Sequence, residues 1–176
     1  MRKTLLVAAL FAFAGSAFAA PVTYKLDPKH TNVLASWNHF GFSNPSINFG
    51  QVDGTLVYDA ENVSNSSVQA TLPLTGLSAL ADQFYDHLTS DKWLAAAKYP
   101  NATFKSTKVE AAGEGKLKVT GDLTVKGVSK PVVLEFTWTP GAAPVLSGKA
   151  TVKRLAFGVG GGDWADTALI PDAIAI

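Results

Sequence analysis

Between Leu117 and Trp138 the apolar residues recur at every second position. Leu117, Val119, Leu123 and Val125 share one side of a first strand, with Gly121 in the same series, and Val132, Leu134, Phe136 and Trp138 repeat the period. The intervening Lys126-Gly127-Val128-Ser129 predicts a hairpin with a four- or five-residue loop, and Pro131 is acceptable at a strand's first residue. One hairpin is marginally stable in water, so this pair must belong to a larger sheet. The same period predicts strands over Val22–Leu26, Thr31–Phe40, Val52–Tyr58, Val68–Leu74, Ala102–Val109, Val145–Val159 and Ala173–Ile176. In the third of these Leu56 and Tyr58 face a core, while Asp53, Thr55 and Asp59 face water. Between Ser78 and Ala97 the period changes. Leu77, Leu80, Phe84 and Leu88 fall on one helical stripe with Ser78 as N-cap, and Ser90 caps a second short helix ending at Ala97. Seven to nine strands, one helical insertion and no βαβ alternation predict an all-β antiparallel barrel or sandwich, with closure preferred because it removes exposed edges.

The first 19 residues stand apart from this pattern. Arg2 and Lys3, the apolar run Leu5–Phe13 and the small-x-small sequence Ala17-Phe18-Ala19 form a secretory signal peptide, so a single domain over residues 20–176 is expected after cleavage. The apolar run is too short for comfortable transmembrane insertion. Removing Arg2 and Lys3 turns a formal charge of +1 into 13 basic against 14 acidic residues, and no long basic run remains to follow a phosphate backbone. Nucleic acid is therefore not expected as a partner. The absence of cysteine excludes a disulfide framework, thiolate catalysis and iron–sulfur ligation.

Several motifs, in order along the chain, resemble the YceI-like family of polyisoprenoid-binding proteins. His30-Thr31, Trp37 with His39, Phe49-Gly50 and Gly54-Thr55-Leu56 match its early strands, and Asp86-His87-Leu88 matches its Asp-His-Leu turn. Tyr99-Pro100 with Phe104 and Ser106, the block Gly121–Val128 with Lys130-Pro131-Val132, and Arg154 with Phe157-Gly158 complete the likeness. Gln83-Phe84 departs from it where the family often carries Arg. The resemblance implies an extended lipocalin-like antiparallel β-barrel of about eight strands with a short helical insertion. It also implies non-enzymatic binding, transport or storage of a long-chain isoprenoid lipid, polyprenyl or quinone-like, in the periplasm.

On that reading the tail would contact Trp37, Phe40, Phe42, Phe84, Trp93, Phe104, Phe136 and Phe157, while His39, Asp86, His87 and Arg154 are candidates for a headgroup or cavity-mouth role. The competing reading is a solid apolar core, since barrels of about eight strands either fill with side chains or hold one small ligand. Arg154 likewise has a structural alternative, pairing with Asp86 or Asp122. His30, His39 and His87 with Asp86 invite a zinc reading, but they lack short paired spacing and lie in different predicted elements. No metal or resident cofactor is expected beyond the lipid. There is no Gly-x-Ser-x-Gly elbow to support a hydrolase. A purely structural or interaction β-domain is the remaining alternative, and an uncovered final strand would then pair with a second copy to give a homodimer.

Overall fold

The computed structural model describes residues 20–79 and 82–176. The expected signal peptide and Leu80 of the predicted helical stripe lie outside the described residues. The chain forms β1 (Val22–Lys25), β2 (Val33–Ser36), β3 (Ser46–Phe49), β4 (Asp53–Tyr58), β5 (Ser67–Pro73) and β6 (Leu77–Ser78), then helix α1 (Asp82–Thr89). After the helix come β7 (Asn101–Ala111), β8 (Lys116–Val125), β9 (Val128–Thr139), β10 (Val145–Lys149), β11 (Thr151–Lys153) and β12 (Ala173–Ala175). A seven-stranded sheet has the order β1-β4-β5-β7-β8-β9-β10 and a five-stranded sheet the order β11-β12-β2-β3-β6. Both sheets are antiparallel.

The central hairpin follows the alternation. Leu117 pairs with Phe136, Val119 with Leu134 and Gly121 with Val132, which places the apolar series of both strands on one face. The loop is shorter than expected: Val125 already pairs with Val128, so the turn is the two residues Lys126-Gly127, both at positive φ (52° and 74°). That backbone matches the twist of the flanking strands, which a four-residue loop need not do. On the inner face the Phe104 ring lies over Gly121. A β-carbon at Gly121 would stand 2.5 Å from both that ring and the Lys105 carbonyl. A bulge between Ser106 and Lys108 then restores the register, so that Val109 faces Val119 on the same side as Phe104.

Two apolar clusters result. One, on the seven-stranded sheet, is built from Leu56, Val68, Phe104, Val109, Leu117, Val119 and Trp138. The other joins Ala35, Ile47, Phe49 and Leu77 of the five-stranded sheet to Leu88, Trp93, Leu94 and Ile170 from the helix and loops.

Closure differs from the expectation. β10 makes five residue pairs with β9, from Val145↔Thr139 to Lys149↔Glu135, and then changes sheets at Ala150. Ala150 exchanges two backbone hydrogen bonds of 2.9 Å with Ile176, and β11 continues against β12. Among the described residues, β9 therefore has no second strand partner over residues 128–134. The molecule is an all-β domain of two antiparallel sheets, one forming an open half-barrel, and not a closed barrel of about eight strands.

Several element bounds also differ from the expectation. The strand expected over Thr31–Phe40 stops at Ser36, because Trp37 N–H bonds to the Pro45 carbonyl and His39 N–H to that of Ser43, folding residues 38–44 into a turn. Leu77-Ser78 forms β6 and so does not begin a helix; α1 starts at Asp82. Residues 90–98 form successive turns where a second helix was expected, with Ala95 in the left-handed region (φ 49°). The long strand expected to Val159 ends at Lys153, and Arg154–Phe157 makes a short 3₁₀ turn. Asp59, expected to face water, is buried. Its carboxylate accepts from the Asn62 and Glu61 backbone N–H groups and the Asn65 amide, and these bonds, Asn62 first, hold its pKa below the ordinary carboxylate range.

Candidate functional site

The place where β9 loses its partner is also where the apolar interior is least covered. Alternation sends Val132, Leu134 and Phe136 of β9, Leu123 of β8 and Leu146 of β10 to the inner face, and all five are only half-buried. By contrast, inner-face Leu56, Val68, Phe104 and Val109 on β4, β5 and β7 are fully buried. Across the gap, Val152 of β11 pairs with Ile174 of β12, and both are half-buried as well. Val132 and Val152 of these rows line a cleft of about 430 Å³ together with Val133, Ala156 and Phe157, with Lys130 and Lys153 among its polar lining residues. Such a volume falls within the range of small-molecule sites. A hollow of about 550 Å³ also crosses β8–β10, but most of its lining belongs to the polar alternation, including Lys116, Lys118, Glu135 and Lys149. The apolar cleft is the better candidate for a ligand whose affinity comes from removing apolar area from water.

The residues picked out from the sequence fall into separate places. Phe157, buried, lines the cleft, and half-buried Phe136 packs on the inner-face cluster and lines the more polar hollow. Phe104 is covered by the sheet cluster over Gly121. Trp37 and Trp93 belong to the second cluster; Trp93 is buried with its indole Nε1 unpartnered among the described residues. Phe84 is exposed on α1, and Phe40 and Phe42 are exposed in the turn after β2. Of the polar candidates, His39 stacks on Phe40 with ring centroids 4.4 Å apart, Asp86 is exposed on α1, and exposed His87 sets its ring against Trp93 and Trp164 at 5.3 and 5.0 Å.

Arg154 has a different environment from the one a headgroup ligand needs. It is 4% exposed, and its side-chain nitrogens donate to the carbonyls of Val159, Gly160, Trp164, Ile170 and Pro171 at 2.6–3.1 Å. Those five bonds draw the loop from residue 154 to residue 171 around one guanidinium, whose fork geometry suits several acceptors at once. Burial lowers its pKa and the charge of Asp172 opposes that shift; neither Asp86 nor Asp122 accepts a hydrogen bond from it.

Among the described residues no three His, Cys, Asp or Glu side chains gather into a metal-binding group. His30 is held 2.7 Å from Asp27 on the surface, and this hydrogen bond is the first cause lowering the Asp27 pKa. No described helix is long and apolar enough to cross a membrane.

The aliphatic lining of the cleft escaped the sequence reading, which favoured aromatic residues. The available signal was Lys130-Pro131-Val132-Val133, a strand segment with apolar residues on both faces directly after a proline. Proline in a sheet belongs where one side of the strand lacks a ladder partner, and both neighbouring valines line the gap.

Comparison with known proteins agrees with this architecture. A YceI-like domain model matches residues 24–176. The protein YceI of Escherichia coli O6:H1 is 39% identical over 138 residues, covering 77% of this chain and 72% of the relative. The crystal structure of BcnA from Burkholderia cenocepacia superposes with a TM-score of 0.79 at 27% identity, covering 85% of this chain and 94% of BcnA. A polyisoprenoid binding domain from Saccharophagus degradans, implicated in plant cell wall breakdown, shares the fold at a TM-score of 0.60 and 14% identity, with 82% and 88% coverage. With the family model spanning nearly all of the described residues, the chain belongs to the YceI-like family.

Proposed function

We propose that this protein binds the apolar tail of a long-chain isoprenoid lipid in its open half-barrel, without catalysing a reaction on it. The observation that carries the reading is the uneven burial of one inner face: Leu123, Val132, Leu134, Phe136 and Leu146 are only half-buried, and Val132 lines the cleft, while Leu56, Val68, Phe104 and Val109 of the same face on β4, β5 and β7 are buried. A solid core would bury both halves alike. Removing apolar area from water is worth roughly 25 cal/mol per Å², so each isoprene unit laid along these side chains adds to affinity. The domain from Saccharophagus degradans, which shares the fold and is described as polyisoprenoid-binding, supports the ligand class. The apolar N-terminal segment supports export to the periplasm, where a carrier of this kind would transport or store such a lipid.

Titration with isoprenoid alcohols of increasing length, followed by tryptophan fluorescence and native mass spectrometry, tests the proposal. Affinity rises with each added unit and then levels off when the cleft is full. Absence of binding, or affinity independent of length, would falsify it.

A further inference from the structure

The turn between β2 and β3 carries two aromatic side chains that the lipid cleft does not use. Phe42 is 93% exposed and Phe40 is 45% exposed. Phe40 also holds a left-handed backbone (φ 55°), an unfavourable conformation for a residue with a bulky side chain. The turn is nevertheless tightly built. Asn38 Oδ1 accepts from Gly41 N–H at 2.7 Å, His39 N–H donates to the Ser43 carbonyl at 2.7 Å, and the N–H groups of Phe42 and Ser43 donate to the His39 carbonyl at 3.0 and 3.4 Å. Below it, the Asn38 amide donates to Asn44 Oδ1 at 3.3 Å. We infer that this turn is a docking tip for a lipid bilayer surface, with Phe42 entering the interface between headgroups and acyl chains.

Three observations favour a bilayer over a protein partner. First, the tip is small: a stable protein interface covers about 800 Å² on each partner, whereas this turn offers two rings on a narrow projection. Second, no Asp, Glu, Lys or Arg occurs anywhere from Thr31 to Val52, so apart from His39 the polar groups of the tip and its base, such as Asn38, Ser43 and Asn44, are uncharged. That order, apolar at the apex and neutral polar below, follows the polarity profile of a membrane interface. Third, the N–H groups of His39, Gly41, Phe42 and Ser43 are bonded within the turn, which lowers the cost of taking its backbone out of water.

Topology also puts the tip toward the end of the five-stranded sheet that carries part of the cleft lining. β2 pairs with β12 at Ser36↔Ala175, and β12 pairs with β11 from Thr151↔Ala175 to Lys153↔Ala173. Because both pairings are antiparallel, the chain leaving Ser36 heads toward the end of the sheet that carries Lys153, next to Ala156 and Phe157 of the cleft. A tail-binding protein docked by this tip would therefore present its open seam near the surface that holds the lipid, a role that rests on the isoprenoid-binding reading above.

The test uses protein of residues 20–176, which contains every described strand, so that the apolar leader cannot itself bind vesicles. Flotation with zwitterionic phosphatidylcholine vesicles at 0.05 and 0.5 M salt is compared for wild type, Phe42→Ser and Phe42→Trp. Wild type partitions onto vesicles with little dependence on salt, and Phe42→Ser loses about tenfold in partitioning at an unchanged melting temperature. The tryptophan of Phe42→Trp is quenched by lipids brominated in the acyl chain. No partitioning of wild type, equal partitioning of Phe42→Ser, or loss of binding at high salt overturns the proposal. The two readings fail separately: Phe42→Ser still binds isoprenoid alcohols in solution if the cleft is the ligand site, and vesicle docking through Phe42 persists if it is not.

Discussion

At Arg154 charge and surroundings point to different roles. A cation near the end of a strand, followed by Phe-Gly, fits a headgroup role on paper. Its surroundings assign it otherwise, because the carbonyls it bonds belong to residues 159, 160, 164, 170 and 171 of one loop. Substituting Arg154→Met leaves these carbonyls without their donor in a buried setting, where each orphaned group costs about 1–3 kcal/mol if water cannot reach it. Chemical denaturation is expected to show a loss of about 3 kcal/mol or more, and Arg154→Lys should not restore it, since three donors on a compact ammonium cannot span five acceptors. A variant that kept its melting temperature while losing lipid affinity would return Arg154 to the headgroup role.

Within elements, the inner face of the β8–β9 hairpin is set by close approach as much as by hydrophobicity. Gly121 lies in an apolar series because the Phe104 ring occupies the space its side chain would need. Gly121→Ala brings a methyl group to 2.5 Å from both the ring and the rigid Lys105 carbonyl, so the strand cannot yield by moving a flexible side chain alone. The expected cost is about 2 kcal/mol, read as a lower denaturation midpoint with an unchanged slope. The alternation that placed Leu117, Val119, Leu123, Val132, Leu134 and Phe136 on one face was legible in the sequence, because a two-residue period survives any detail of the turn. The turn itself was not, since Val128-Ser129 reads equally well as loop or as the first pair of β9. The extent of β3 was not legible for a similar reason: Ile47 and Phe49 make a four-residue strand between Pro45 and Gly50, too short for alternation to stand out. The turns over residues 90–98 escaped because Ser90, Asp91 and an alanine run favour a helix locally, whereas bonds such as Leu94 N–H to the Leu88 carbonyl decide the outcome.

At the scale of the whole molecule, the feature that composition could not show is the departure of one strand from one sheet to another. Whether the chain closes depends on β10 leaving β9 after Lys149, and no residue type in Ser147–Thr151 announces it. That departure creates the seam and with it a division of the apolar residues into a sealed half and an open half. The division makes a specific prediction. Val132 and Val152 both line the cleft and are half-buried, so Val132→Asn together with Val152→Asn should change stability by only about 1 kcal/mol. Their polar amides would nevertheless have to be dehydrated under a bound tail, and without partners there each costs about 1–3 kcal/mol. Isoprenoid affinity is therefore expected to fall by tenfold or more while the melting curve stays close to that of wild type. Phe104→Asn supplies the contrast: Phe104 is 6% exposed in the sealed half, and its substitution should unfold the domain before any effect on binding can be read. If the paired asparagines left affinity unchanged in a folded protein, the tail would have to lie elsewhere, and the seam would be only the consequence of a strand shared between two sheets.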